Sequence, residues 1–192
     1  MHIGVLALQG DFAEHMVILR QLGVTITEVR LPKQLEGLCG LIIPGGESTT
    51  IAKLAESYGL MEPLRLFGKN RAIWGTCAGA IFLSKDAHRA QPLLQLMDIT
   101  VERNAFGRQV NSFEVDLDVP VLQKVDPVGN PFHAVFIRAP LIESVQGEAC
   151  VLAKLRDGRI VAAQQGHLLA TAFHPELTKD DRFHRYFLNL AA

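Results

Sequence analysis

The sequence predicts an α/β fold: a mostly parallel central sheet flanked by helices on both faces, with antiparallel strands added in the second half. Two patterns predict this arrangement. In the first half, short continuous apolar runs alternate with segments of helical periodicity, the mark of βαβ units with right-handed crossovers. From about Ile99 the apolar residues alternate or form short runs split by turn residues, as antiparallel strands do. A third observation is local. Gly75-Thr76-Cys77-Ala78-Gly79 lies between Ala72-Ile73-Trp74 and Ala80-Ile81-Phe82-Leu83, which reads as strand, sharp turn and helix with a cysteine at the turn.

Ile3 to Leu8 is an unbroken apolar run, as in a strand buried on both faces. Asp11 can cap a helix reaching about Leu22, with Phe12, Met16, Leu19 and Leu22 near helical spacing and Gly23 as the stop. Thr25 to Val29 is a second strand. Leu41-Ile42-Ile43 is a third, ending at Pro44-Gly45-Gly46. Ser48 is the expected cap of a helix over about Thr49 to Tyr58, and a short helix follows near Met61 to Phe67. Then come the strand and helix around Cys77. In the second half, Phe113 to Leu117 and His133 to Ile137 read as strands. Val151 to Leu155 and Ile160 to Ala163 flank Arg156-Asp157-Gly158-Arg159, a hairpin turn. Leu168 to Phe173 is a further strand, and Arg182 to Leu190 a closing helix. No linker, repeat or low-complexity tract interrupts the chain, so residues 1–192 are expected to form one domain.

Composition narrows the function. Hydrophobic residues make up 48% and charged residues 20% of the 192, enough for a large core. The net charge is −1 and no Lys/Arg cluster has the density of a nucleic-acid face. No apolar run reaches the length of a membrane span, and the first residues lack the pattern of a secretory signal. Three widely spaced cysteines without a C-x-x-C pair suit a reducing cytoplasm and argue against disulfides or structural zinc. Cys39 and Cys150 sit among apolar residues and read as core packing. The histidines at 2, 15, 88, 133, 167 and 184 show no metal spacing and read mostly as surface or packing residues, so no metal and no cofactor is expected.

The turn around Cys77 has the spacing of a nucleophile elbow, in which flanking glycines let the backbone bend with no Cβ in the way. The thiol is lifted out at the end of a sheet, and the N-terminal N–H groups of the next helix favour its thiolate form. A free cysteine is usually a small core hydrophobe; framed by two glycines at a strand–helix junction, it reads as a nucleophile. It then needs a base and an orienter. Phe173-His174-Pro175-Glu176 can supply both. Pro175 biases His174 toward extended backbone, where residues two apart point the same way, so Glu176 can hold one ring nitrogen and leave the other for the thiol. Pro44-Gly45-Gly46-Glu47-Ser48 lacks the P-loop pattern, and Glu47 would repel a phosphate. A hole for a carbonyl oxygen, from the Gly45-Gly46 turn and the Ala78 amide, suits it better. In a parallel sheet these loops gather beyond the carboxyl ends of the strands.

Cys77 with His174-Pro175-Glu176 resembles the class I, triad-type glutamine amidotransferases; the order Cys, His, Glu with one residue between the last two is specific to that group. Leu8 to His15, Pro44 to Thr50, Val101 to Gln109 and Phe136 to Pro140 are similar to the glutaminase subunits of pyridoxal 5′-phosphate synthases, nearly end to end and with no departure at a motif position. The resemblance implies a class I glutamine amidotransferase-like fold and hydrolysis of L-glutamine to L-glutamate and ammonia. It also implies transfer of the ammonia to a (β/α)₈-barrel synthase subunit that makes pyridoxal 5′-phosphate from ribose 5-phosphate and glyceraldehyde 3-phosphate, in a hetero-oligomer. It assigns Cys77, His174 and Glu176 as nucleophile, base and orienter, and Gly46, Glu47, Ser48, Arg103, Ile137 and Arg138 as contacts of glutamine. Either arginine could take the substrate carboxylate, and Glu47 its ammonium. Ammonia freed into neutral water becomes unreactive ammonium. A protected path is therefore expected, with weak activity until the partner orders the oxyanion loop at Gln9-Gly10 and Gly45-Gly46. Rival readings are a triad glutaminase feeding another synthase, a cysteine hydrolase without glutamine chemistry, and a non-catalytic binding module.

Overall fold

The computed structural model describes residues 1–103 and 112–192. Part of the resembling segment 101–109 therefore lies outside the described residues. The first half runs β1 (His2–Leu6), α1 (Phe12–Gln21), β2 (Thr25–Val29), β3 (Gly40–Ile43), α2 (Ser48–Ser57), α3 (Met61–Asn70), β4 (Ala72–Thr76) and α4 (Ala78–Leu83). The second half adds β5 (Ser84–Asp86), β6 (Met97–Glu102), β7 (Ser112–Leu117), β8 (Phe132–Ile137), β9 (Leu141–Val145), β10 (Cys150–Lys154), β11 (Ile160–Gln165), β12 (Leu168–Thr171) and α5 (Arg182–Leu190).

The main sheet has the order β2-β1-β3-β4-β12-β11-β9-β6-β5, with β10 on β11. The five strands from β2 to β12 are parallel to their neighbours, and β11 turns the sheet antiparallel. Strands β7 and β8 form a separate two-stranded ribbon. Sheet order makes β1, β3, β4 and β12 successive parallel neighbours, so the loops after them emerge side by side. The chain leaves β1 toward β2 on one side and returns to β3 on the other, the switch point where open α/β sheets form their clefts.

Apolar residues cover both faces. On one side Ile51, Ala55 and Leu64 of α2 and α3 pack with Ile73 and with Ile81 and Phe82 of α4. On the other, Met16 and Leu19 of α1 and Phe183, Tyr186 and Phe187 of α5 join Trp74, Phe132, Phe136 and Phe173. Trp74 is fully buried with its ring stacked 6.1 Å from Phe183. Burying a side chain of this size contributes about 1.5–3 kcal/mol relative to exposure.

Several local expectations differ from the structure. Helix α2 begins at Ser48 and its cap is Glu47, whose carboxylate accepts from the Thr50 amide at 2.7 Å and from the Thr49 and Thr50 hydroxyls. The longer acid reaches the third amide of the helix, which leaves the Ser48 hydroxyl to donate to Gln91 Oε1 at 3.4 Å. Asp11 precedes α1, yet its side chain makes no capping bond. Helix α3 continues past Phe67 to Asn70, and β5 and β9 are additional strands. Cys39 is half-buried and packs against the core, as expected, whereas Cys150 is exposed and is not a core residue. No helix among the described residues is long and apolar enough to cross a membrane.

Candidate active site

The loops after β1, β3, β4 and β12 enclose a cleft of about 450 Å³ whose lining includes Gly46, Glu47, Ser48, Cys77, Ala78, Arg103, Ile137, Arg138 and His174. Glu176 lies behind it, buried. Gly45 stands against the imidazole: a Cβ added there would come within 2.5 Å of His174 Cε1. The structure thus gathers every residue singled out from the sequence into one neighbourhood. Gln9, Asp11, Ile81, Pro140 and Leu177 also line the cleft.

The elbow follows from its glycines. Cys77 has φ 48° and ψ −104°, a strained conformation for a residue with a side chain. The bend brings the start of α4 against the end of β3. A Cβ on Gly79 would overlap the Ile43 carbonyl oxygen, and one on Gly75 would lie 2.5 Å from the Gly79 carbonyl carbon. The Cys77 amide donates to the Thr171 carbonyl of β12 at 2.8 Å. The Ala78 amide, at the first helical position, has no intrahelical acceptor and is left for a ligand oxygen.

His174 is placed by its neighbours on three sides. Its amide donates to the Val135 carbonyl of β8 at 2.8 Å, so the ribbon braces it from outside the main sheet. Its Nδ1 lies 2.7 Å from Glu176 Oε1 and 3.5 Å from Asp11 Oδ2, and the ring shares the cleft lining with Cys77. Burial works against a charged imidazole, but the interactions with Cys77 and Glu176 prevail and raise its pKa to about 10. Burial pushes the Glu176 carboxyl up, and the bond to His174 opposes that rise. The backbone route to this pairing differs from the expected extended chain. Pro175–Leu177 is a short 3₁₀ turn, and it is this turn that folds the carboxylate back onto the ring.

The Gly45-Gly46-Glu47 turn is fixed from the side of β1. The Asp11 amide donates to the Gly45 carbonyl at 3.1 Å, and the Glu47 amide donates to Gln9 Oε1 at 2.7 Å. Gly46, at φ 151°, and Gly10, at φ 99°, allow this close approach. Glu47 is acidic for a carboxyl: its partial burial would raise the pKa, but the Thr49 and Thr50 bonds lower it to about 2. Its other oxygen, Oε1, lies 2.8 Å from Arg103 Nη2, and Arg103 Nη1 donates to Gln91 Oε1 at 3.2 Å. Among the described residues Arg138 has no such ion-pair partner.

Sequence reasoning missed Gln91, which ties Ser48 to Arg103, and it missed His15 and His184. Both histidines are fully buried, His15 directly behind Glu176 and His184 behind His15. The only signal for them was a histidine at helical spacing with apolar residues. Among the described residues one set of metal-ligand groups converges, Asp11, His174 and Glu176, with ligand atoms within 4.8 Å of one another. A cation there would compete for the imidazole nitrogen that Glu176 already engages.

The glutamine amidotransferase family SNO matches residues 5–191. The pyridoxal 5′-phosphate synthase subunit PdxT of Herpetosiphon aurantiacus is 58% identical over 99% of this chain and 100% of its own length. The corresponding subunit of Moorella thermoacetica is 56% identical over 99% of each chain. A crystal structure of a glutamine amidotransferase superposes with a TM-score of 0.91 at 51% identity, covering 98% of both chains. PurLQS from Thermotoga maritima, at 14% identity and a TM-score of 0.72, shares the fold. The chain belongs to the SNO glutamine amidotransferase family.

Proposed function

We propose that residues 1–192 act as one glutaminase domain in which Cys77, His174 and Glu176 are nucleophile, proton carrier and orienter. The chain hydrolyses L-glutamine to L-glutamate and ammonia, and the ammonia serves pyridoxal 5′-phosphate synthesis. The observation that carries the catalytic assignment is the contact of Glu176 Oε1 with His174 Nδ1 at 2.7 Å, with the same imidazole lining the cleft beside the elbow thiol.

The Cys77 sulfur attacks the side-chain amide carbon of glutamine. The resulting oxyanion is taken by the amides of Ala78 and the Gly45-Gly46 turn. A His174 pKa of about 10 keeps the ring protonated near neutral pH, ready to give its proton to the departing nitrogen. Ammonia leaves and a γ-glutamyl thioester remains. Acylation also removes the sulfur's hold on the imidazolium, so the now neutral His174 can take a proton from water. That water opens the thioester to glutamate and regenerates the thiol.

Of the two arginines that line the cleft, Arg103 is paired with Glu47 and Arg138 has no ion-pair partner among the described residues, which suits Arg138 to the substrate carboxylate. Glu47 can accept from the ammonium beside Arg103, and Gly46, Ser48 and Ile137 line the remainder of the cleft. The partner is the synthase subunit, read as a (β/α)₈ barrel in a hetero-oligomer within the cytoplasm. Docking of that partner would adjust the Gly45-Gly46 turn, which Asp11 and Gln9 already hold, and admit ammonia to a protected path. Incubating the chain with glutamine and the synthase subunit tests this reading. Glutamate and pyridoxal phosphate should both appear; glutamate without the vitamin product would assign the chain to another synthase.

A further inference from the structure

The triad does not end at Glu176. Glu176 Oε1 receives His174, whereas Oε2 is buried and has no well-aligned hydrogen bond. His15 Nε2 of α1 lies 3.3 Å from it, with both side chains fully buried. The same His15 nitrogen is 3.3 Å from Thr76 Oγ1, the residue before the nucleophile. The other His15 nitrogen, Nδ1, lies 3.0 Å from His184 Nε2 on α5. His184 Nδ1 is buried without a partner.

These contacts fix where the protons lie. Suppose His184 carried its proton on Nδ1. That N–H would be an orphan donor, and His15 would have to donate from Nδ1, turning a bare Nε2 lone pair toward the Glu176 carboxylate. The opposite arrangement has no such conflict. His184 donates from Nε2 to His15 Nδ1, and His15 donates from Nε2 toward Glu176 and Thr76. The unpartnered atom is then a lone pair rather than a stranded N–H. Burial keeps both rings neutral, pushing His184 down to about 3 and His15 well below its ordinary value.

We infer that His15, with its tautomer set by His184, is a positioning residue that steadies the Glu176 carboxylate and ties it to the Thr76 side of the elbow. This rests on the triad reading above and extends it by two residues far apart in the chain. The charged or titratable groups that face His15 are His184 from α5 and His174 and Glu176 from the segment after β12. Loss of the His15 N–H makes ionised Glu176 less favourable, so the acid limb of the kcat profile moves to higher pH.

Two polar substitutions separate this role from a merely structural one. In His15→Gln the amide nitrogen can stand where Nε2 stands and still donate to Glu176. In His15→Asn it stands near Nδ1, facing His184. Assayed as the full chain with its synthase subunit, H15Q is expected to keep kcat within about threefold. H15N should lose roughly tenfold in kcat, with KM for glutamine nearly unchanged and the acid limb raised by about one pH unit, the free-energy equivalent of that tenfold loss. Equal kcat and superimposable pH profiles for H15Q and H15N would overturn the inference, whether both were active or both impaired. A wild-type chain that produced no glutamate in the same assay would instead overturn the glutaminase reading itself.

Discussion

Arg103 Nη2 lies 2.8 Å from Glu47 Oε1 at the mouth of the cleft, so these two charges already satisfy each other before any substrate arrives. Arg138 stands on the same cleft wall in a left-handed backbone conformation, φ 43°, with no ion-pair partner among the described residues. Such a conformation is costly for a residue with a Cβ and is commonest at functional positions. Arg138→Ala should therefore raise KM for glutamine about 10- to 100-fold, the worth of a charge-assisted pair, with kcat changed only a few-fold. Arg103→Ala should raise it less. Steady-state kinetics of the two variants decide between them, and the reverse ranking would move the carboxylate site to Arg103.

Glu47 has two tasks, closing the first turn of α2 and facing the cleft. Removing an N-cap side chain costs about 1 kcal/mol. For a chain of this size Glu47→Ala should lower the melting temperature by about 2–4 °C and raise KM. Glu47→Asp should recover part of the stability. A melting curve unchanged in Glu47→Ala would show that the Thr50 amide finds another partner at no cost.

Much of the site was legible because its chemistry is local in sequence. Gly75 to Gly79 and His174 to Glu176 each carry their residue types within a few positions, although the closest clash of Gly79 is with distant Ile43 and a 3₁₀ turn rather than extended chain joins His174 to Glu176. What escaped was set by distance or by competition. His15 and His184 are separated by 169 positions, and nothing near either one signals the other. Ser48 and Glu47 are both chemically able to cap α2; the longer side chain takes the Thr50 amide, and Ser48, inside the helix, donates to Gln91 instead. The strand Leu141–Val145 carries the polar residues Glu143 and Ser144 side by side, one on each face, and only Ile142 is buried, so its hydrophobic pattern is weak. Cys150 precedes an apolar run but sits at the exposed end of an outlying strand.

The raised pKa of His174 has a consequence for stability. A group whose folded pKa exceeds its unfolded value stabilises the fold fully below the unfolded pKa and progressively less as pH rises through the folded one. For His174 that window runs from about 6.5 to about 10. The melting-temperature gap between wild type and His174→Asn should be widest at the acid end of the window and close toward its alkaline end. A gap constant across it would mean that Cys77 and Glu176 do not hold the imidazolium.

The elbow leaves no room at Gly79, where a methyl group would meet the Ile43 backbone carbonyl rather than a movable side chain. Gly79→Ala should destabilise the chain by about 3 kcal/mol, the upper part of the usual range for overpacking. Any folded fraction should be inactive, because relief requires moving the start of α4 and with it Ala78. Chemical denaturation gives the first quantity. A loss below about 0.5 kcal/mol, within the range of ordinary surface substitutions, would mean that β3 and α4 part easily.

The most direct test of the triad is intact-mass spectrometry of the chain, quenched during glutamine turnover in the presence of the synthase subunit. Wild type should carry one γ-glutamyl group, mapped to Cys77. Cys77→Ala should carry none and release no glutamate above background. A Cys77→Ala chain that hydrolysed glutamine at the wild-type rate, or an adduct mapped to another residue, would contradict the account.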